Sequence, residues 1–172
     1  MKRYLSLTLL CSLAPFAQAG TKMDQCLQNK YHAYLDASLD WYRDLINITT
    51  DRNPDLKQVG QQFLISRQHH FDLSGVAFNY YLYTDPSKVT LEQPVEHWLK
   101  LSQQDVKQLA KRDDELGKAA KLTYNDRQKA PNQQNYQLRS AFSQILSNPN
   151  IIGTALNKYN TSITKIDLTL CK

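Results

Sequence analysis

The most constraining feature of this 172-residue sequence is a long run of helical periodicity between Asn53 and Tyr83. Apolar side chains recur there at intervals of three and four, which places them on one face of a helix that turns about 100° per residue. Arg67, His70 and Ser74 fall at the centre of the same face, where a core helix seldom carries polar groups. The stretch therefore predicts one long helix with polar side chains halfway along its apolar stripe. The stripe comprises Leu56, Val59, Gly60, Phe63, Phe71, Ala77, Phe78 and Tyr81.

The first nineteen residues have the composition of a secretory signal peptide. Lys2 and Arg3 precede an apolar run that ends at Pro15, and the small residues Ala17 and Ala19 suit a cleavage site. The apolar run is shorter than the ~20 residues that span a bilayer. We therefore expect an exported protein, periplasmic or otherwise secreted and not membrane-spanning, whose residues 20–172 form a single helical-bundle domain.

Cleavage of the signal removes Cys11 and leaves Cys26 and Cys171 near opposite ends of the chain. Two cysteines of an exported protein are expected to pair. Because the bond closes nearly the whole chain, the chain-entropy model assigns it up to about 5 kcal/mol of stabilisation. The spacing is unlike the C-x-x-C of redox or zinc sites. We predict a structural disulfide between Cys26 and Cys171.

Four long helical segments joined by short turns account for the rest of the periodicity. Short connections favour antiparallel neighbours, so the predicted fold class is all-α, an elongated up-down-up-down four-helix bundle. The last helix is expected to break near Pro149. In this topology the first helix begins where the last one ends, which brings the two cysteines together. The predicted segments are 21–48, 53–84, 90–127 and 133–170.

Heights counted from each turn, at ~1.5 Å of rise per residue, bring five side chains to one level of the bundle. A structural network would pair Arg67 with Asp105, because a buried guanidinium without a partner costs several kcal/mol. Alternatively, Arg67 holds an anionic ligand, and His70 or a tyrosine supplies a second contact or a proton. We call Arg67, His70, Asp105, Tyr34 and Tyr159 the polar layer.

The opposite side of the second helix is also apolar in its C-terminal half. Leu73, Val76, Tyr80 and Tyr83 share that side, here called the back face, so this half is apolar nearly all round. Either another segment of the chain covers the back face, or a protein partner does. Tyrosines suit an interface, because the ring is buried while the hydroxyl stays in water. The four residues are therefore candidate partner-binding residues.

Charge and motifs argue against several other classes of function. The formal net charge is +5, and the basic residues are interleaved with acidic ones instead of forming a stripe that suits nucleic acid. His69 and His70 are adjacent and diverge by about 100° on a helix, while His32 and His97 are not spaced for a metal. The sequence contains no haem-attachment motif and no serine-nucleophile motif. We expect no metal, no cofactor and no nucleic-acid partner, and catalysis is not indicated.

These observations favour an exported, non-catalytic helical protein that acts by contact with another protein, as an inhibitor, an immunity-type factor or an accessory factor. The alternative is a small-molecule-binding or enzymatic bundle that uses Arg67, His70 and Asp105 for an anionic ligand. A cavity of ligand size, open to solvent beside Arg67, would favour the alternative. A closed layer with every charge paired would favour protein contact.

Overall fold

The computed structural model describes residues 22–172, so the signal peptide predicted at residues 1–19 lies outside the described range. Within that range the chain is helical, as predicted, and short 3₁₀ turns occur at Pro54–Leu56, Pro86–Lys88 and Val95–His97. The α-helices are α1 (Lys22–Arg52), α2 (Lys57–Thr84), α3 (Gln103–Leu109), α4 (Glu115–Gln128), α5 (Asn135–Leu146) and α6 (Pro149–Asp167). None of them combines the length and the hydropathy that crossing a membrane requires.

α1 and α2 form a closely packed pair joined by a tight turn. α1 continues past its predicted end near Ile48 to Arg52. In this last part Thr49 is buried, and its hydroxyl donates a 2.7 Å hydrogen bond to the Leu45 carbonyl. Gly60 lets the two helices approach, since a Cβ at this position would lie 3.3 Å from side-chain atoms of Ile46 and Thr50. The predicted helix at 53–84 is confirmed as the turn at Pro54–Leu56 followed by α2.

The third predicted helix is wrong in its first part. Residues 90–102 form a loop in which the Thr90 amide donates to the Trp98 carbonyl at 2.9 Å. The indole of Trp98 is 3% exposed and stacks at 6.2 Å from the Tyr31 ring and 5.8 Å from the Phe78 ring. Burial of this large ring against α1 and α2 requires the chain to leave the helical path.

A second break divides the remainder into α3 and α4. Asp114 caps α4 by accepting a 2.9 Å hydrogen bond from the Gly117 amide. A Cβ on Gly117 would lie 2.1 Å from the Arg112 carbonyl oxygen, so the tight turn requires glycine at this position. α3 and α4 can therefore fold back on each other as a helical hairpin.

The helices do not confirm the predicted four-helix bundle. Extensive contacts join α4 to α2, α2 to α1 and α1 to α6, whereas no extensive contact joins α4 to α6 in residues 22–172. α5 packs across α1, α2 and α6 near the α1–α2 turn. The predicted break near Pro149 is present, since α5 ends before it and α6 begins at this proline with Asn148 as its N-cap.

The predicted disulfide joins the start of α1 to the end of the chain. The Cα atoms of Cys26 and Cys171 are 5.5 Å apart. Next to the disulfide, the Lys30 ammonium donates 3.0 Å hydrogen bonds to the carbonyls of Asp167 and Thr169, at the C-terminal end of α6. The last helix is thus attached to α1 by a covalent bond and by a charged cap.

Separate apolar clusters fill the two ends of the α1–α2 pair. One cluster includes Leu73, Phe78 and Trp98 and is covered by α3 and α4. Other clusters, which include Leu56 and Ile145, lie toward the α1–α2 turn and are covered by α5 and α6. The candidate site lies on α2 between these clusters.

Candidate functional site

Arg67 lies at the boundary between the apolar clusters. Phe63, one turn before it, packs on the cluster near the α1–α2 turn, and Phe71, one turn after it, packs on the cluster that contains Trp98. Residues four apart lie on the same face of a helix. The helical geometry of α2 therefore places Arg67 on the same face as Phe63 and Phe71, one turn from each.

The guanidinium of Arg67 is held by aromatic rings and not by a carboxylate. Its central carbon lies 5.0 Å from the Phe63 ring centroid and 5.4 Å from the ring centroid of Tyr42 on α1. Both distances suit a cation–π contact. Arg67 forms no ion pair and no side-chain hydrogen bond with any residue of 22–172. Its five N–H donors are therefore available to a ligand.

A cleft opens beside Arg67 between α2 and the connection from α4 to α5. Its volume is about 650 Å³, and it is open to solvent. α2 contributes residues between Val59 and Arg67, and the other wall is formed by residues between Asp126 and Asn135. Small-molecule sites commonly have volumes of ~300–1,000 Å³. This Arg67 cleft has the size of a ligand site.

Asp126 is the only carboxylate that lines the cleft within the described residues, and its oxygens already have partners. One oxygen accepts a 2.6 Å hydrogen bond from His69 Nδ1, and the other accepts a 2.7 Å bond from the Lys129 ammonium. Burial of the carboxyl group disfavours its ionisation, but the bonds from Lys129 and His69 outweigh this effect and lower the pKa of Asp126. Asp126 thus neutralises Lys129, and Arg67 is left without a carboxylate partner in the described part of the chain.

His70 is half-buried next to Arg67 and is neutral at neutral pH. Burial, together with the positive charges of Arg67 and Arg127, lowers the pKa of His70 to about 4. Its ring centroid lies 5.6 Å from that of Phe71. Because His70 is uncharged, it adds no positive charge to the site. Residues 22–172 contain no group of three or more His, Cys, Asp or Glu residues that could hold a metal ion.

The predicted pairing of Arg67 with Asp105 is wrong. Asp105 belongs to the capping box of α3, where its carboxylate accepts a 2.9 Å bond from the Ser102 amide, and it also contacts the Lys88 ammonium at 3.2 Å. Burial raises the pKa of the Tyr81 phenol, and the charge of the nearby Asp105 raises it further. Tyr81 lies about 21 Å farther along the axis of α2 than Arg67, so Asp105 is at a different height from Arg67. The prediction failed because the loop at residues 90–102 shifts the heights counted along the third segment.

Tyr34 and Tyr159, the other members of the predicted polar layer, lie near each other but do not line the Arg67 cleft. Burial raises the pKa of Tyr34, and the nearby Tyr159 phenol contributes to the same rise. The Tyr159 ring packs against the ring of Trp41 at 5.5 Å. The structure therefore divides the polar layer: Arg67 and His70 are neighbours on α2, while the two tyrosines occupy the α1–α6 side.

The back face of α2 is covered mainly by the chain itself. Leu73 is 0% exposed, and Val76 and Tyr80 pack on the cluster that α3 and α4 cover. The guanidinium of Arg112 lies 4.6 Å from the Tyr80 ring centroid and donates a 3.2 Å bond to its hydroxyl. Tyr83 alone of the four predicted partner-binding residues is strongly exposed, at 53%.

Sequence reasoning did not find Asp126, Ser66 or Asn135, which also line the cleft. Ser66 adjoins Arg67 on α2, but its relation to Asn135 depends on how α5 folds back toward α2. No protein-family model, curated protein or solved structure shows a significant match to this chain. The functional conclusion therefore depends on the geometry of the cleft.

Proposed function

We propose that the protein binds a ligand with an anionic group in the Arg67 cleft and does so without catalysis. The observation that supports this proposal is a guanidinium that contacts two aromatic rings, has no carboxylate partner among residues 22–172 and lies beside a ligand-sized cleft. A solvent-open cavity at this arginine favours ligand binding over a closed structural network. The planar donors of an arginine suit a carboxylate, which can accept two parallel hydrogen bonds.

The disulfide supports the proposal that the ligand is met outside the cytoplasm. Disulfides persist in oxidising compartments such as the bacterial periplasm and the extracellular space. The bond between Cys26 and Cys171 attaches the end of the chain, which follows α6, to the start of α1. We therefore propose that the protein is exported and binds its ligand in the periplasm or outside the cell.

The proposal is tested by calorimetric titration of small carboxylates into the protein and into the Arg67→Gln variant. We expect the variant to bind at least tenfold more weakly, because a hydrogen bond to a charged group contributes about 1.5–3 kcal/mol. Arg139→Gln is the matched control, since Arg139 is exposed on α5 and does not line the cleft. Equal affinity of the wild type and Arg67→Gln would contradict the proposal.

Protein contact remains a second candidate, but at a different surface from the predicted one. Leu168 and Leu170 are 75% and 73% exposed beside Cys171, and Met23, near Cys26, is 47% exposed. Tyr83 belongs to the same end, since its hydroxyl accepts a 3.0 Å bond from Gln28 on α1. Clusters of exposed apolar side chains often mark interaction sites.

This second candidate is tested by affinity purification from periplasmic extract. The Leu168→Ser and Leu170→Ser double variant should lose a partner that the wild type retains. A double variant on α5, Tyr136→Ser with Leu146→Ser, removes two other exposed apolar side chains and should retain the partner. Loss of the partner in both double variants would indicate non-specific adhesion, and retention in both would exclude the disulfide end as the contact surface.

A further inference from the structure

Two polar side chains of the Arg67 cleft, in addition to the guanidinium, are unpaired within residues 22–172. The hydroxyl of Ser66 and the side-chain amide of Asn135 form no hydrogen bond with any described residue. Across the same cleft, the Asn132 amide donates a 2.8 Å bond to the Gln62 side-chain oxygen, so the Gln62 amino group keeps its donors. The cleft therefore offers hydrogen-bond donors and acceptors of the kind that an amide group pairs with.

The cleft also has apolar surface at fixed positions. Ile65 is 52% exposed, and Phe63 and Pro131 line the cleft with it. Phe63 is one helical turn from Arg67, a rise of about 6 Å along α2. A ligand that contacts both residues must carry an apolar group within a few bonds of its anionic group.

The charges of the cleft favour a ligand with a single negative charge. Asp126 balances Lys129, so Arg67 is the cation that lacks a counter-charge among the described residues that line the cleft. A phosphate dianion would leave one negative charge without a partner. A zwitterion would place an ammonium group near Asp126, whose two oxygens already accept bonds from His69 and Lys129.

We propose that the cleft binds an acylated amino acid with a free carboxylate and an apolar side chain, the chemistry found at the C-terminus of a peptide. This inference rests on the proposed function of the Arg67 cleft. Arg67 pairs with the carboxylate, Ser66 and Asn135 bond to the acyl amide, and the apolar side chain lies against Phe63 and Ile65. The amide and the carboxylate of one residue are separated by one extended residue of about 3.3 Å, and Ser66 and Arg67 are adjacent residues of α2 that both line the cleft.

A plain fatty acid satisfies these observations less well. It would pair with Arg67 and cover the apolar wall, but it would leave the amide of Asn135 and the hydroxyl of Ser66 without hydrogen bonds inside a filled cleft. A buried polar group without a partner costs about 1–3 kcal/mol. The acyl amide of the proposed ligand removes this cost and distinguishes it from other carboxylates.

The test compares three probes by isothermal titration into the full chain. The first is N-acetyl-alanyl-leucine, the second is the same compound with its carboxylate converted to an amide, and the third is 4-methylpentanoate, which has the carboxylate and the apolar group but no amide. We expect the first to bind at least tenfold more tightly than either of the others. Asn135→Ala should weaken the first probe severalfold and leave 4-methylpentanoate unchanged, while the control Asn157→Ala on α6 should change neither.

The outcomes separate this inference from the function on which it rests. If 4-methylpentanoate binds as tightly as N-acetyl-alanyl-leucine and both depend on Arg67, the anion site stands and the acyl-amide inference is overturned. If none of the probes binds and no other small carboxylate does, both proposals fail. Titrations with N-acetyl-leucine and with an N-acetylated pentapeptide that ends in leucine show whether the natural ligand is a small molecule or the C-terminus of a peptide. Tighter binding of the pentapeptide indicates a peptide C-terminus, and equal binding indicates a small acylated amino acid, each of which supports the proposed chemistry.

Discussion

Arg67 and Arg112 both lie over aromatic rings, but their hydrogen-bond donors are used differently. The guanidinium of Arg112 lies 4.6 Å from the Tyr80 ring centroid, donates to the Tyr80 hydroxyl at 3.2 Å and forms several hydrogen bonds with the Asp114 carboxylate. The guanidinium of Arg67 has two aromatic neighbours and no carboxylate partner among the described residues. Arg112 thus joins the α3–α4 turn to α2, whereas Arg67 keeps its donors free beside a cleft.

The comparison indicates how a structural arginine differs from a binding one. The bonds from Arg112 and from the Gly117 amide lower the pKa of Asp114 to about 2, so this pair persists at any pH at which the protein is expected to function. Near Arg67, the corresponding carboxylate, Asp126, is bonded to His69 and Lys129. Free donors, more than the presence of arginine, distinguish the candidate site.

We expect the greatest loss of stability from mutation of Asp126, whose carboxylate balances the charge of Lys129 in the cleft. Asp126→Ala should lower the free energy of unfolding by about 2–3 kcal/mol, because it removes two charge-assisted hydrogen bonds from a carboxylate whose side chain is 8% exposed. Urea unfolding measures the loss. Asp113→Ala is the control, since its carboxylate is fully exposed and lies 3.7 Å from Lys121. The Asp126→Ala variant should also bind carboxylates more tightly, because the charge of Lys129 is then uncompensated as well as that of Arg67. Weaker binding would contradict the proposal that Asp126 balances Lys129.

The next effect is a pH dependence of stability that arises at His70, next to Arg67. The pKa of His70 is lowered from 6.5 to about 4, so the unfolded chain binds more protons than the folded chain between these values. Stability should therefore fall by about 2 kcal/mol as the pH decreases from 6.5 to 4, after allowance for partial exposure of the ring. The melting temperature of the His70→Phe variant should change less with pH over this range than that of the wild type. An equal slope in the variant and the wild type would show that another group is responsible.

A smaller effect is expected when Arg67 is made to resemble Arg112. Asn135→Asp places a carboxylate in the Arg67 cleft without a change in side-chain size. We expect carboxylate binding to weaken about tenfold, which corresponds to about 1.4 kcal/mol, because the new anion competes for the guanidinium. Asn135→Ala separates the effect of the charge from loss of the amide. Unchanged binding by Asn135→Asp would show that residue 135 lies too far from the bound anion.

The smallest effect is the cost of removing the Arg67 side chain itself. Arg67→Gln should lower the free energy of unfolding by about 1 kcal/mol or less, since only its contacts with the rings are lost. Arg112→Gln should lower the melting temperature more, because it also removes the bonds to Asp114 and Tyr80. The two melting temperatures, compared under one condition, test whether Arg67 is mainly a binding residue. A larger decrease for Arg67→Gln would instead assign it a structural role.

Much of this outcome could be predicted from local sequence patterns. Helix α2 follows from spacings of three and four, and a break near Pro149 follows from the restricted backbone of proline. The pairing of Cys26 with Cys171 follows from the presence of two cysteines in the chain expected after signal cleavage. By contrast, the loop at residues 90–102 has a helical spacing, and only the burial of Trp98 against α1 and α2 shows why the chain is not helical there.

The candidate site, too, combines features that are local in the sequence with features that depend on tertiary packing. The order of residues is enough to place Phe63 and Phe71 on the same face of α2 as Arg67, because neighbours in a helix are set by its 3.6-residue period. That Arg67 has no carboxylate partner among residues 22–172 follows instead from how distant segments of the chain pack. The insertion of Trp98 leaves Asp105 in the cap of α3, and the packing of α4 on α2 brings Asp126 to His69. A pattern within one helix is local, whereas the counter-charge of a side chain depends on which distant segments pack beside it.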